Sequence, residues 1–328
     1  EFDEKRVADS IKELQREFSG NSFHLHTYMG VYEIRDRAEA VSIMVDKANI
    51  AADTIKNNYD CCVAYYDEHL LEISIEQRRL LGEFEPALQK DEFAMYLQPQ
   101  VNRDGVASGA EALVRWVHPS RGILTPYAFI DILENAGLIY KLDLYIWEKA
   151  VQKLVEWKEK GYGSYHISVN ISTKDFYIID IYETFTGLIN KYDISASNLH
   201  LEITETTLMT DFEKNMNIIH KLQGVGFRVE IDDFGSGYSS LNMLKDISAD
   251  VLKIDMGFLR KSENEVKGQD ILESIIALAG KIGMDVITEG VETKKQLDML
   301  TMMGCHEFQG YYFSKPVPVS EFEEKYLV

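Results

Sequence analysis

The sequence predicts a (β/α)8 barrel of the TIM type with one antiparallel strand, preceded by a smaller, partial α+β segment. From Glu92 onward, segments of alternating apolar residues are separated by segments with helical spacing. Strands that alternate with helices indicate a parallel sheet, and about eight of them are enough to close a barrel. The turn at 102–105 has the length of a hairpin, so we expect one of the first two strands to be antiparallel.

The first 66 residues follow the order helix, strand, helix, strand, which is too little for an independent core. Periodicity and the turn residues at 19–21 delimit these elements as Ala8–Phe18, His24–Ile34, Ala38–Ile55 and Cys61–Tyr66. A charged helix, Glu68–Leu88, follows them. We therefore expect a partial segment at 1–66, a linker helix at 67–88 and the barrel at 89–328.

The elements of the barrel follow in order from the same periodicity. The predicted strands are Phe93–Leu97, Ala107–Val117, His166–Ser172, Leu199–Thr206, Phe227–Asp233, Val251–Asp255, Asp285–Glu289 and a last one near His306–Phe313. The predicted helices are Pro126–Ala136, Tyr145–Lys160, Ile181–Lys191, Phe212–Leu222, Gln269–Ile282 and Lys294–Met303. Gly224 is expected to end the helix before it as a C-cap.

Composition favours a cytoplasmic protein that does not bind DNA. The formal charge of −20 is the opposite of the basic footprint that nucleic acid requires. No stretch reaches the ~18 apolar residues of a membrane span, and the start has no signal-peptide pattern. The three cysteines make no disulfide framework. A sensory or membrane region upstream of residue 1 is compatible with this sequence.

Seven polar residues occur at or just after the ends of the predicted strands. Because the carboxyl ends of parallel barrel strands meet at one face, these side chains are expected to converge on one pocket. They are Glu111, Asn170, Glu202, Asp232, Asp233, Asp255 and Glu289.

Alternation puts polar side chains on one face of each predicted strand. In Phe227–Asp233, for example, Glu230 and Asp232 lie opposite Val229. One alternative is an antiparallel sheet whose polar face meets water. The intervening helices favour the barrel, because they must cover the apolar face and leave the polar face inside. Charges buried there are costly unless they are paired or bound to metal.

Two metal ions explain the number of carboxylates better than one. A single Mg²⁺ uses only one or two protein carboxylates and keeps several waters. A pair of ions about 3.5–4 Å apart is typical of phosphoryl transfer. The adjacent Asp232 and Asp233 can serve both ions, and Lys253, on the same face as Asp255, would offset negative charge and orient a water.

At these residues the sequence resembles the EAL-domain family of cyclic di-GMP phosphodiesterases, from about Leu81 to Val328. Departures from the family pattern at Leu97, Ser236, Thr288 and 256–257 remove no metal ligand. The resemblance rests on Glu111-Ala112-Leu113-Val114-Arg115-Trp116, Gln98-Pro99, Ser168-Val169-Asn170, Leu201-Glu202-Ile203-Thr204-Glu205, the run from Asp232 to Leu241, Lys253-Ile254-Asp255 and Glu289-Gly290-Val291-Glu292.

The resemblance implies a role for each matching residue. Glu289 is the implied general base and Lys253 the residue that orients the attacking water. Glu205 is expected to tether the glycine-containing loop Asp233–Leu241. Glu292 is expected to support the metal ligands without binding a metal ion itself. The implied ligands of two Mg²⁺ or Mn²⁺ ions are Glu111, Asn170, Glu202, Asp232, Asp233 and Glu289, and the implied substrate contacts are Gln98, Arg115, Asp255 and Gln309.

The expected function is metal-dependent hydrolysis of cyclic di-GMP to linear 5′-pGpG in bacterial signalling. Two alternatives remain open at this point: a catalytically weak or inactive receptor of cyclic di-GMP, and an inert scaffold. The family also implies a homodimer formed through the barrel. Residues 1–66 resemble the C-terminal part of a GGDEF domain, but its signature loop does not occur in this sequence.

Overall fold

The computed structural model describes residues 5, 9, 13, 27–56, 62–234, 247–255, 257 and 265–327. The chain divides into two compact units, 1–85 and 86–328. Within the described part of the chain, no helix is both long enough and apolar enough to cross a membrane.

The first unit contains two parallel strands and the helix that connects them. These elements are β1 (Met29–Val31), α1 (Val41–Asp53) and β2 (Val63–Tyr65). Met29 pairs with Val63 in the parallel register. Gly30 lets α1 approach closely, because a Cβ there would lie 1.7 Å from the carbonyl oxygen of Ala48. The predicted strand–helix–strand order is confirmed, whereas most of the predicted helix Ala8–Phe18 lies outside the described residues.

Helix α2 (Glu68–Gln89) leads into the second unit. The Asp67 carboxylate accepts a hydrogen bond from the backbone N–H of Leu70 at 3.0 Å, which satisfies one donor of the first turn. The predicted helix Glu68–Leu88 therefore differs from the observed one by a single residue.

Eight strands of the described chain close into a barrel, and two short strands pair at its margin. The barrel strands are β3 (Phe93–Val101), β4 (Ala107–His118), β6 (His166–Ile171), β7 (Leu199–Thr204), β8 (Arg228–Phe234), β9 (Val251–Asp255), β10 (Asp285–Glu289) and β11 (Glu307–Phe308), and the marginal ones are β5 (Gly122–Leu124) and β12 (Val317–Pro318).

Strand β3 runs antiparallel to both of its neighbours in the barrel. Gln98 of β3 pairs with Glu111 of β4, and Val101 pairs with Phe308 of β11. The remaining barrel neighbours, from β4 to β11, pair in parallel. The predicted barrel with one antiparallel strand is therefore confirmed.

Helices cover the outside of the barrel. The longest of them after α2, α4, buries Leu142, Trp147 and Leu154 along one face. The described helices are α3 (Ile130–Asn135), α4 (Ile139–Glu159), α5 (Asp175–Ile178), α6 (Ile181–Tyr192), α7 (Glu205–Thr210), α8 (Phe212–Val225), α9 (Glu265–Lys281), α10 (Lys294–Met302) and α11 (Val319–Tyr326).

Some predicted boundaries are wrong. Helix α9 begins at Glu265 rather than at the predicted Gln269, and residues 205–206, predicted as the end of a strand, belong to α7.

Glycines in the left-handed conformation mark two other boundaries. Gly137 adopts a φ of +66° and separates α3 from α4, and α4 begins at Ile139 rather than at the predicted Tyr145. Helix α8 continues through the expected cap Gly224 and ends at Gly226, whose φ is +108°. The left-handed conformation favours glycine, and Gly226 rather than Gly224 adopts it.

The barrel walls are apolar on the outside and polar on the inside. Leu201 and Ile231, which point to the helices, are fully buried, as are the interior residues Glu202, Glu230 and Lys253. Side chains alternate between the two faces along each strand, so the helix layer buries the apolar set. The interior therefore holds charged groups that must compensate one another.

Candidate active site

Lys253 lies at the centre of the charged cluster inside the barrel. Its side chain is fully buried, and Nζ lies 2.7 Å from Glu289 Oε1 and 2.9 Å from Glu202 Oε2. Nζ also lies 3.4 Å from Glu111 Oε2 and 3.5 Å from Asp232 Oδ1. One ammonium group therefore contacts carboxylates that come from four strands.

Parallel register brings these groups together. Asn170 of β6 pairs with Glu202 of β7, and Glu289 of β10 pairs with Asp255 of β9. Because neighbouring strands run side by side in the same direction, acids distant in sequence reach the same level of the barrel. Among the described residues the structure thus gathers Glu111, Glu202, Asp232 and Glu289 around Lys253, and Asp255 lines the same cavity as Glu289. No contact places the Asp233 side chain in this cluster, so its convergence stays a prediction.

The carboxylates outnumber the positive charge, and their pKa values reflect this. Burial raises the pKa of Glu289 to about 8; Lys253 opposes the shift, and the Asp232 and Glu111 carboxylates add to it. Burial and Glu111 raise the pKa of Glu202 well above its usual range. Burial alone would lower the pKa of Lys253, but the surrounding carboxylates raise it well above its ordinary value. Without additional cations, the site therefore retains protons on its acids.

Glu111 connects the metal-ligand candidates to the substrate-contact candidates. Its Oε1 accepts a hydrogen bond from Asn170 Nδ2 at 3.0 Å, and its Oε2 accepts one from Gln309 Nε2. Gln309 Nε2 also lies 3.3 Å from Gln98 Oε1. Trp147 of α4 donates to the backbone oxygen of Asn170 at 3.0 Å, so a helix outside the barrel fixes this part of β6.

Asp232 and Asp233 differ in exposure at the end of β8: Asp232 is half-buried and contacts Lys253, whereas Asp233 is exposed. Asp233 adopts a left-handed φ of +57°, which is uncommon for a residue other than glycine. Its backbone N–H donates to Asp232 Oδ1 at 2.9 Å. Strained backbone of this kind persists where the surrounding structure holds it and is frequent at functional sites.

A cavity of about 470 Å³ opens beside the cluster. Residues that the motifs do not contain also line it, among them Tyr127, which is 98% exposed, Gly310 and Tyr311. Tyr127 lies in the 3-10 helix Pro126–Ala128, and its ring faces solvent, so no burial periodicity marks it. The predicted site residues that line this cavity are Gln98, Glu111, Asp255, Glu289, Glu292 and Gln309.

Two of the residues predicted to contact substrate, Arg115 and Asp255, contact other groups of the protein in this structure. The Arg115 guanidinium lies 5.7 Å from the ring centre of Tyr96 and donates to the backbone oxygen of Val114 at 2.8 Å. The Asp255 carboxylate accepts a hydrogen bond from the backbone N–H of Gly257 at 2.7 Å. Asp255 therefore holds the chain that leaves β9 in addition to lining the cavity.

Glu205 is the first residue of α7, which Thr204 caps. The Thr204 hydroxyl accepts from the backbone N–H of Thr207 at 3.3 Å, so Glu205 is not the residue that caps this helix. Most of the predicted loop Asp233–Leu241 falls within 235–246, outside the described residues. The proposed tether between Glu205 and this loop therefore stays a prediction.

The donor set fits divalent cations that prefer oxygen. No residue that the structure describes donates a hydrogen bond to either oxygen of Glu202 or to Glu289 Oε1. Lys253 Nζ lies near both carboxylates, yet it meets these oxygens as an ion pair without hydrogen-bond geometry. Buried oxygens with unused lone pairs are costly, and Mg²⁺ or Mn²⁺ would satisfy them.

The sequence matches the EAL domain family over residues 82–316. It is 32% identical over 272 residues to the bifunctional diguanylate cyclase/cyclic di-GMP phosphodiesterase MucR of Pseudomonas aeruginosa, covering 83% of this chain and 39% of MucR. It is 33% identical over 240 residues to the cyclic di-GMP phosphodiesterase PdeR of Escherichia coli, covering 73% of this chain and 36% of PdeR. The chain thus spans less than half the length of these relatives.

Solved structures share the same barrel. The phosphodiesterase PaMucR in complex with c-di-GMP superposes with a TM-score of 0.71 at 33% identity, covering 74% of this chain and 99% of that one. An EAL domain protein from Listeria monocytogenes gives a TM-score of 0.62 at 29% identity, covering 75% of this chain and 97% of that one. Sequence and structure agree: this chain belongs to the EAL domain family.

Proposed function

We propose that this chain hydrolyses one 3′–5′ phosphodiester linkage of cyclic di-GMP to give linear 5′-pGpG, and that it requires Mg²⁺ or Mn²⁺. The carboxylate cluster around Lys253 is the observation that supports this proposal best. Relatives named as cyclic di-GMP phosphodiesterases and a solved relative in complex with c-di-GMP support the choice of substrate.

Two divalent ions per site would use the carboxylate and amide oxygens that the cluster offers. Candidate ligands are Glu111, Asn170, Glu202, Asp232, Asp233 and Glu289. When bound, divalent ions neutralise the charge that develops on the phosphodiester and on the oxygen that leaves. A site with this excess of carboxylates would otherwise repel a dianionic cyclic dinucleotide.

Glu289 is the group that we assign to proton transfer. Its side chain is 18% exposed and lines the cavity, so it can meet a water there. A water oxygen attacks phosphorus, its proton passes to Glu289, and the bond from phosphorus to the ribose 3′-oxygen breaks. That oxygen then takes up a proton and becomes a hydroxyl. In the metal-free site burial raises the pKa of Glu289, and bound divalent cations would lower it again.

Lys253 positions this base. Nζ lies 2.7 Å from Glu289 Oε1, and the buried Lys253 side chain cannot move aside without breaking its other ion pairs. The same ammonium offsets the charges of Glu202 and Asp232. A fixed charge in a site that excludes water acts more strongly than one in solvent.

Substrate contacts follow from the lining of the cavity. Gln98 and Gln309 line the cavity and would supply amide groups for the guanine or ribose. Arg115 does not line the cavity; it is proposed from the family resemblance alone as a cation for the phosphate that does not react. Tyr127 and Tyr311 present aromatic rings at the cavity, and such rings stack on nucleobases.

Residues 1–66 correspond, in this proposal, to the C-terminal part of a GGDEF-like segment. The parallel pairing of β1 with β2 around α1 supports an α/β unit of this kind. The segment would make no cyclic di-GMP from GTP, because the signature loop is absent from the sequence. We also propose a homodimer through the barrel, which sedimentation analysis of the purified chain would test.

The experiment that tests the function is direct. Purified protein is incubated with cyclic di-GMP and Mg²⁺ or Mn²⁺, and the products are separated by chromatography. Formation of 5′-pGpG supports the proposal. Binding of cyclic di-GMP without any product would identify a receptor, and no binding at all would leave only the fold in common with the family.

A further inference from the structure

A second cluster of polar side chains lies at the opposite, amino-terminal ends of the barrel strands. His166 is the first residue of β6, His200 the second of β7 and Glu230 the third of β8. One nitrogen from each histidine and one carboxylate oxygen lie within 4.8 Å of one another. His200 and Glu230 are buried on the interior face of the barrel, but sequence spacing does not group them with His166.

Glu230 carries a buried oxygen that no described residue satisfies. Its Oε1 lies 2.6 Å from His200 Nδ1 and accepts a hydrogen bond from Ser168 Oγ at 3.2 Å. Its Oε2 has no hydrogen-bond partner among the residues that the structure describes, although the Glu230 side chain is fully buried. An unsatisfied buried carboxylate oxygen is costly, so this atom points to a cation or a donor that the chain does not supply.

His166 keeps one ring nitrogen available for a ligand. Its Nε2 donates to Gln100 Oε1 at 2.7 Å, which leaves the lone pair on Nδ1. A hydrogen bond that fixes the tautomer of an imidazole is the common outer support of a metal ligand.

The backbone of β4 makes room for this ring. Gly109 pairs with His166 in the parallel register. A Cβ at position 109 would lie 2.5 Å from three atoms of the His166 ring, so any other residue would displace the imidazole. The ring also stacks on His200 with centroids 3.8 Å apart and planes inclined by 7°. Gly109 and His200 therefore determine the position of the His166 ring.

We propose that His166, His200 and Glu230 bind a divalent transition-metal ion of the Zn²⁺ class, at a site distinct from the oxygen-rich site around Lys253. A donor set of two imidazole nitrogens and one carboxylate oxygen favours Zn²⁺ over Mg²⁺. The three residues line a cavity of about 520 Å³, so a fourth ligand can enter from solvent. Arg228 also lines this cavity, and its charge is offset by an ion pair with Asp285.

Ion binding requires a small change in the rings. The lone pair of an imidazole nitrogen lies in the ring plane, so two parallel rings cannot direct their nitrogens at one ion. Tilting one ring breaks the stack and brings the ligand atoms to the ~2.0–2.2 Å metal distances of zinc sites. The bound state thus differs from the stacked one in a way that spectroscopy detects.

Zinc stoichiometry tests this assignment. Chelator-treated protein is titrated with Zn²⁺ against a chromophoric competitor, with excess Mg²⁺ present to occupy the oxygen-rich site. We expect the His166→Gln/His200→Gln double variant to bind one zinc equivalent fewer than the wild type. The matched control, His69→Gln/His220→Gln, changes two exposed histidines and should bind as the wild type does. Equal stoichiometry in all three proteins would show that the cluster is only a structural hydrogen-bond network.

A measurement on the wild type covers the case in which the double variant does not fold. X-ray absorption of the zinc-loaded wild type reports the ligands directly. Scattering from two imidazoles per zinc is the expected result, because no histidine is among the residues proposed to bind metal around Lys253. A spectrum with oxygen ligands alone, or no retained zinc, would overturn the proposal.

Discussion

Lys253 Nζ lies 2.7 Å from Glu289 Oε1, and this ion pair joins two neighbouring barrel strands, β9 and β10. The ammonium also lies within 3.5 Å of Glu111, Glu202 and Asp232. The candidate base is therefore held by a group that simultaneously balances three other carboxylates. Loss of this group should affect both stability and chemistry.

Lys253→Met should destabilise the metal-free protein by about 3–5 kcal/mol, the usual cost of removing one partner from a buried ion pair. Turnover at saturating Mg²⁺ should also fall, because Glu289 loses the contact that positions it. Urea unfolding in EDTA and initial rates give the two quantities. Lys149→Met is the matched control, since Lys149 forms a surface ion pair with Asp91 at 3.3 Å and should cost at most about 1 kcal/mol. Equal effects of the two substitutions would contradict a central role for Lys253.

The second prediction concerns which divalent ion supports activity. Mg²⁺ or Mn²⁺ should restore activity to EDTA-treated protein, and Ca²⁺ should restore little of it. Ca²⁺ takes longer and looser coordination than a compact site of carboxylates built for octahedral ions allows. Initial rates at matched concentrations of the three ions provide the comparison. Full turnover of metal-stripped protein without any added ion would rule out the two-metal proposal.

Much of this site could be predicted from sequence because it depends on period-two alternation and on the direction of the strands. Alternation places five of the site residues on interior faces of their strands: Glu111, Glu202, Asp232, Lys253 and Glu289. Parallel register then brings their side chains to the same level of the barrel. The convergence of these side chains follows from the shared face at which the parallel strands end, and it does not depend on the exact lateral position of each strand.

The remainder depends on tertiary detail that no periodicity records. Strand β3 continues through Val101 because its pairing with β4 extends beyond the predicted end at Leu97. Gly137 breaks the helical pattern by its left-handed backbone, although glycines elsewhere, such as Gly224, remain inside helices. The stacking of His166 on His200 depends on the lateral register of two strands, which sequence spacing does not give.

A pair of acids outside the proposed metal site, the buried Asp175 and the half-buried Asp143, sets a pH dependence of stability. Burial, together with Asp175, raises the pKa of Asp143 well above its usual range, and burial raises that of Asp175 to about 6. For an acid whose folded-state pKa is raised, the stabilisation is complete below the ordinary value of 3.8 and is lost as pH rises through the folded-state value. The folded protein should therefore lose stability as the pH rises from 3.8 to about 6 through Asp175, and the loss should continue to higher pH until Asp143 also ionises.

Asp143→Asn mimics the protonated acid and tests this dependence. The variant should be more stable than the wild type at about pH 8, by about 1–3 kcal/mol, and the difference should shrink at about pH 5. Urea unfolding at both pH values measures it, with the exposed Asp131→Asn as control. A variant no more stable than the wild type at the higher pH would show that the pKa of Asp143 is not raised in the folded protein.

Glu205 provides a test of coupling between α7 and the metal site. If Glu205 tethers the loop Asp233–Leu241, Glu205→Ala should keep its fold but require more Mg²⁺ for half-maximal turnover. Asp233, at the start of that loop, holds a strained left-handed backbone that needs external support. Melting temperature and Mg²⁺ dependence are measured together, with the exposed Glu213→Ala as control. A lower melting temperature with unchanged Mg²⁺ dependence would indicate a structural role only.

The central claim is that Glu289 serves as the base in a metal-dependent hydrolysis of cyclic di-GMP. The most direct test measures formation of 5′-pGpG by the wild type, by Glu289→Gln and by the exposed control Glu321→Gln, at saturating Mg²⁺. Binding of cyclic di-GMP is measured for each protein in parallel. The account predicts product from the wild type and the control, and a kcat about a hundredfold or more lower for Glu289→Gln with most of the binding retained. Near-normal turnover by Glu289→Gln, or a wild type that binds cyclic di-GMP and never forms 5′-pGpG, would contradict it.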